Sequence, residues 1–75
     1  MTKLATILPL LNSDDATLRS QAVITLGQLG DEQAIPALCQ ILLNDSNPEV
    51  RSNAADALGK LARPQTAIAY QSING

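Results

Sequence analysis

Two arginines, Arg19 and Arg51, stand 32 residues apart in matching contexts, Leu18-Arg19-Ser20 and Val50-Arg51-Ser52. Each guanidinium is a planar fork of N–H donors, so a pair held in register could clamp the carboxylates of an acidic partner. The other side chains that could do chemistry are few. There is no His, which removes imidazole bases, imidazole metal ligands and Ser-His or Cys-His nucleophile pairs. The lone thiol, Cys39, falls on an apolar face and reads as a small buried hydrophobe. The carboxylates of Asp14, Asp15, Asp31, Glu32, Asp45, Glu49 and Asp56 are spread through turns and helix starts, without the enclosed pair that acid/base catalysis needs. Gly27, Gly30 and Gly59 are isolated, so no loop cradles a phosphate. No catalytic residue, cofactor site or metal site is expected, and the chain reads as a non-enzyme.

Composition narrows the partners. Five Lys and Arg against seven Asp and Glu give a net charge of −2, and nucleic-acid binding needs a basic stripe that is missing. A single Cys cannot form an intramolecular disulfide and fits a reducing compartment. Neither a leader pattern nor an apolar run of membrane-spanning length is present, so a soluble cytoplasmic protein is expected. With 75 residues, no Phe or Trp, and Tyr70 as the one aromatic, the core must come from Leu, Ile, Val and Ala and will be small.

The elements that place the arginines follow from an internal repeat. Leu10–Gly30 laid over Leu42–Ala62 matches at nine of 21 positions, among them both arginines, Leu26/Leu58 and Gly27/Gly59, and a period of this size signals stacked helical units. Apolar spacing predicts helices near 2–12, 15–29, 32–44 and 47–62, with a weaker fifth near 64–72. Asp15, Asp31 and Asn47 read as N-caps, Pro48 as a first helical residue and Gly30 as a left-handed stop. Acidic residues at helix starts and Lys60 and Arg63 at a helix end suit the helix dipoles. Gly27 and Gly59 each cost about 1 kcal/mol inside a helix, which predicts a close helix-to-helix approach at both.

The run Asn47-Pro48-Glu49-Val50-Arg51 followed by Ala54-Ala55-Asp56-Ala57-Leu58-Gly59-Lys60-Leu61 resembles the HEAT repeat, in particular the short HEAT-like repeat of phycobilin lyases. Ala34-Ile35-Pro36-Ala37-Leu38 looks like the start of that repeat's first helix, and Ile7-Leu8-Pro9-Leu10-Leu11 is similar to a proline-kinked first helix. Tetratricopeptide and ankyrin signatures are absent. The resemblance implies an all-α superhelix, one domain over 1–75: repeat one about 2–30, repeat two about 31–62, and a partial third unit over 63–75.

In such stacks an Arg early in the second helix usually pairs with a loop Asp or a helix-end carbonyl of the adjacent unit, the role expected for Arg19 and Arg51. The resemblance also separates the chain from metal-binding HEAT-repeat hydroxylases, whose His-Glu motifs it lacks. The second helices would line a concave face, where Ile24, with Gln21, Gln28, Asn53, Asp56 and Lys60, is the expected protein-docking surface. The alternative the family suggests is a phycobilin lyase-related accessory that binds a phycobiliprotein. Ala67, Ile68, Tyr70 and Ile73 leave an apolar C-terminal end, which predicts homodimerisation there.

Overall fold

Pro9 decides how the chain begins. A proline ring inside an α-helix removes a hydrogen bond and collides with the carbonyl four residues back. The computed structural model, which describes residues 3–61, therefore replaces the single helix expected over 2–12 with α1 (Lys3–Ile7) and a 3-10 segment (Leu8–Asn12). The remaining elements are α2 (Ala16–Leu29), a 3-10 turn (Glu32–Ala34), α3 (Ile35–Asn44) and α4 (Pro48–Leu61). Pro36 sits in the first turn of α3, where no N–H is required of it. The fifth helix expected near 64–72, and with it the dimerisation residues Ala67, Ile68, Tyr70 and Ile73, lies outside the described residues.

The helix ends are built by side chains the sequence supplies in series. The Asp15 carboxylate accepts the Thr17 N–H at 2.8 Å, Asp31 accepts the Gln33 N–H at 2.9 Å, and Asn47 Oδ1 accepts the N–H groups of Glu49 and Val50 at 2.8 and 3.3 Å. Each bond satisfies a donor that the helix itself leaves unpaired. Gly30 stops α2 at φ 70°, the left-handed region that a Cβ disfavours.

Two helix pairs result, α1 with its 3-10 extension against α2, and α3 against α4. The pairs join chiefly through α2 on α4. Val23, Leu26, Leu38, Val50 and Ala54 are fully buried at this junction, with Ala57 and Leu61 nearly so. Gly27 makes the join possible: a Cβ there would lie 2.9 Å from Ala57 Cβ and 3.0 Å from Ala57 Cα, so only glycine lets the two backbones come this close.

Three expectations are corrected. Gly59 has no atom within 4 Å of its would-be Cβ among the described residues, so no close approach accounts for it there. Cys39 is half-buried, not buried. The helical spacing of Ile35, Leu38, Cys39, Ile41, Leu42 and Leu43 predicts one covered apolar set, yet in α3 only Leu38 is buried, and Leu42 and Leu43 are exposed. Only Gly59 and Leu43 differ from their equivalents in the first pair, Gly27 and Leu11, which the following pair covers; Cys39 and Leu42 are covered no less than their equivalents Ile7 and Leu10.

Candidate functional site

The 3.6-residue period of α2 puts Gln21, Ile24 and Gln28 in one row, and the same period in α4 aligns their repeat equivalents Asn53, Asp56 and Lys60. All are exposed except Asn53, which is half-buried, and Ile24 leaves 41% of its surface open. The rows belong to the two helices through which the pairs join, α2 and α4. Of these six residues only Gln21 borders a cleft, of about 160 Å³, lined by Ala16, Thr17, Ser20, Gln21, Asn47 and Glu49 at the N-terminal ends of α2 and α4. A second recess of about 360 Å³, lined by Leu8, Leu11, Asn12, Ala37, Gln40 and Ile41, lies on the first-helix side. Glu49 is the single ionisable group in either hollow, so neither brings together the two titratable groups that acid/base chemistry requires. Among the described residues no three His, Cys, Asp or Glu side chains gather as metal ligands would.

The polar centre of the molecule is the turn between α3 and α4. Arg19 reaches across from α2 and grips Asp45 with two bonds, Nε to Oδ2 at 2.8 Å and Nη2 to Oδ1 at 3.1 Å, while its Nη1 donates to the Ser13 carbonyl at 2.8 Å. Asp45 Oδ1 also accepts the Asn47 N–H at 2.9 Å, and its carbonyl receives Arg51 Nη1 at 2.6 Å. The pairing expected of Arg19 with a loop Asp of the adjacent unit is what the fold contains. The carbonyl bonds differ from expectation, because each arginine tethers the turn that precedes its own helix. Asp45 is a residue that sequence reasoning does not single out. Its signal lies at the repeat offset, where the uncharged Ser13 stands in the position that Asp45 fills.

The Asp45 side chain is only 3% exposed. Burial alone would raise its carboxyl pKa. The Arg19 hydrogen bonds, the Asn47 N–H and the charges of Arg19 and Arg51 outweigh that, and the net shift is downward. The same bonds hold the Arg19 guanidinium above its already high value. A carboxyl whose folded pKa is depressed contributes stability above its unfolded pKa and loses it as pH falls through the folded value. The protein should therefore lose thermal stability as pH drops below about 4. Asp45→Asn should be destabilised at neutral pH and show a flatter acid limb, a difference visible in melting curves taken across that range. An acid limb as steep in Asp45→Asn as in the wild type would assign the effect to other carboxylates.

Comparison with known proteins gives this architecture a family. The chain is 37% identical over 71 residues to the uncharacterized phycocyanin operon protein Z of Pseudanabaena tenuis, covering 92% of this chain and 35% of that protein. It is 40% identical over 63 residues to the deoxyhypusine hydroxylase of Homo sapiens, covering 83% of this chain and 21% of that one. The deoxyhypusine hydroxylase of Danio rerio is 41% identical over 54 residues, covering 69% and 17%. The chain thus spans about a third or less of the length of these relatives. No solved structure matches significantly. The HEAT repeats family matches residues 4–70, nearly all of a chain whose described helices stack in two pairs: this protein belongs to the HEAT-repeat family.

Proposed function

We propose that the chain is a non-catalytic protein-interaction module, a single domain over 1–75 that docks a protein partner on the outer face of α2 and α4. The observation that carries this reading is Ile24: a large aliphatic side chain, 41% exposed, amid the uncharged Gln21 and Gln28 and beside the Asn53, Asp56 and Lys60 row. An apolar centre within a polar rim is the usual anatomy of a contact surface. The absence of His from the sequence and the scatter of the carboxylates support a role without catalysis. No helix among the described residues is long and apolar enough to cross a membrane, and the unpaired Cys39 suits a reducing cytoplasm.

Ile24→Asp tests the face. Exposed substitutions usually change stability by less than about 0.5 kcal/mol, so the melting temperature should barely move. Affinity for the native partner should fall about tenfold or more, since an apolar contact is replaced by a charge that must be desolvated. Undiminished binding, measured by calorimetry with the partner purified on the wild-type chain, would remove Ile24 from the surface.

A second reading has its own observation, the 37% identity to a protein of a phycocyanin operon. On that reading the chain is an accessory related to the phycobilin lyases, with a phycobiliprotein as partner. Free phycocyanobilin would then shift its visible absorption band on mixing, and an unshifted band together with no affinity for phycocyanin would dismiss it.

A further inference from the structure

The cleft at the N-terminal ends of α2 and α4 has room for the end of one long side chain, about 160 Å³. Its walls come from two described helices, so nothing before residue 3 or after residue 61 is needed to form it. Two helix starts would ordinarily draw an anion through their free N–H groups. Here those donors are partly spent on the chain's own caps, the Thr17 N–H on Asp15 and the N–H groups of Glu49 and Val50 on Asn47.

Charge then decides what the cleft can take. Glu49 is the one ionisable residue of the lining, and among the described residues its carboxylate has neither an ion pair nor a hydrogen bond. Each helix start carries roughly half a positive charge, so the carboxylates of Asp15 and Glu49 exceed the two helix ends by about one negative charge. The cations of α2 and α4 do not offset this. Arg19 and Arg51 are turned to the α3–α4 turn, where they hold Asp45 and its carbonyl, and Lys60 stands about 16 Å from Glu49 along the α4 axis. The hydroxyls of Thr17 and Ser20 and the Gln21 carboxamide make no hydrogen bond of their own among the described residues. They add acceptors that suit an ammonium or a guanidinium.

We propose that the partner of this face is a basic segment, which sets a Lys or Arg side chain in the cleft against Glu49 and a neighbouring aliphatic side chain on Ile24. The inference rests on the reading of Ile24 as a docking surface and adds the charge of what docks there. The spacing is one that a peptide spans without strain. Ile24 lies between about 5 and 10 Å beyond the cleft along α2, and two side chains on one side of an extended segment stand about 7 Å apart. An acidic or phosphorylated segment is disfavoured by the same charges.

The full chain, isotope-labelled, can be titrated in nuclear magnetic resonance with the blocked pentapeptides Ala-Leu-Ser-Arg-Ala and Ala-Arg-Ser-Leu-Ala, which present the two groups in both chain directions. At least one should shift the signals of Thr17, Ser20 and Glu49 together with the Ile24 methyls. The versions with Glu in place of Arg should not. Glu49→Gln should weaken the response about threefold or more, the scale of one charge pair at a surface, and Glu49→Lys should reverse the preference so that the Glu peptides bind better. Raising the salt concentration should weaken the Arg peptides and leave those with Gln in that place unaffected. Melting temperatures of the variants report that each is folded.

Equal binding of the Arg, Gln and Glu peptides with shifts at Ile24 would overturn the basic segment and leave the docking face standing. A response unchanged in Glu49→Gln, or one confined to the cleft with Ile24 unmoved, would also overturn the proposal. So would the absence of any shift at tens of millimolar peptide, and the Ile24→Asp measurement on the native partner would then decide the docking face by itself.

Discussion

Leu26→Ala should leave the chain substantially unfolded in water. Leu26 is fully buried where α2 meets the second helix pair, and a buried Leu-to-Ala change costs roughly 2–5 kcal/mol through lost transfer energy and the cavity left behind. A chain with so small a core rarely has more than about 3–5 kcal/mol of stability to lose. The change is therefore comparable to the whole. Leu58→Ala, identical in chemistry and equivalent in the repeat, removes a side chain that is only half-buried, and should cost less than about 2 kcal/mol because much of it already faces water. Urea titrations followed by circular dichroism measure both. Equal losses would mean that Leu58 is as fully enclosed as Leu26, and the asymmetry between the two helix pairs would disappear.

That asymmetry marks the boundary of what the sequence can tell. Periodicity, caps and glycine stops are local, and Asp15, Asp31, Asn47, Pro48 and Gly30 do in the structure what their positions suggest. The repeat identities place Arg19, Leu26 and Gly27 on equal footing with Arg51, Leu58 and Gly59. Burial among the described residues separates them, because burial depends on what packs against each residue and an alignment of a chain with itself does not contain that. Cys39, Leu42 and Leu43 look like core in the sequence because helical spacing shows which side is apolar, not whether anything lies against it. The repeat pattern has Arg19 hold a loop Asp of the adjacent unit, yet the particular partner is legible only as a mismatch, Ser13 against Asp45. Of the six residues expected to form a docking surface on α2 and α4, five are exposed and Asn53 is half-buried. A protein contact at Ile24 is a statement about a second molecule, which no pattern within one chain contains.

Gly27→Ala and Gly59→Ala, the same change one repeat apart, should move stability in opposite directions. In both helices alanine is favoured over glycine by about 1 kcal/mol, since it loses less backbone freedom on folding. At Gly59 nothing among the described residues opposes that gain, and the variant should be more stable by up to about 1 kcal/mol. At Gly27 the added methyl would stand 2.9 Å from Ala57 Cβ and 3.0 Å from Ala57 Cα. Neither atom can swing aside as the tip of a long side chain could, so α2 and α4 must part along the junction that holds the pairs together. Overpacking of this kind costs about 1–3 kcal/mol, enough to cancel the helical gain and leave Gly27→Ala destabilised. A second-site change separates this cause from any other. Ala57→Gly removes the nearer atom, and although it carries its own helical penalty, the double variant Gly27→Ala/Ala57→Gly should be more stable than the two separate losses add up to, with a coupling of about 1 kcal/mol. Relief should stay partial, because the backbone of α4 at position 57 still crowds the new methyl once the Ala57 side chain is gone. Strict additivity in that cycle would mean that the backbones of α2 and α4 do not approach each other through Gly27, and the reason for a glycine at this place in the repeat would have to be sought elsewhere.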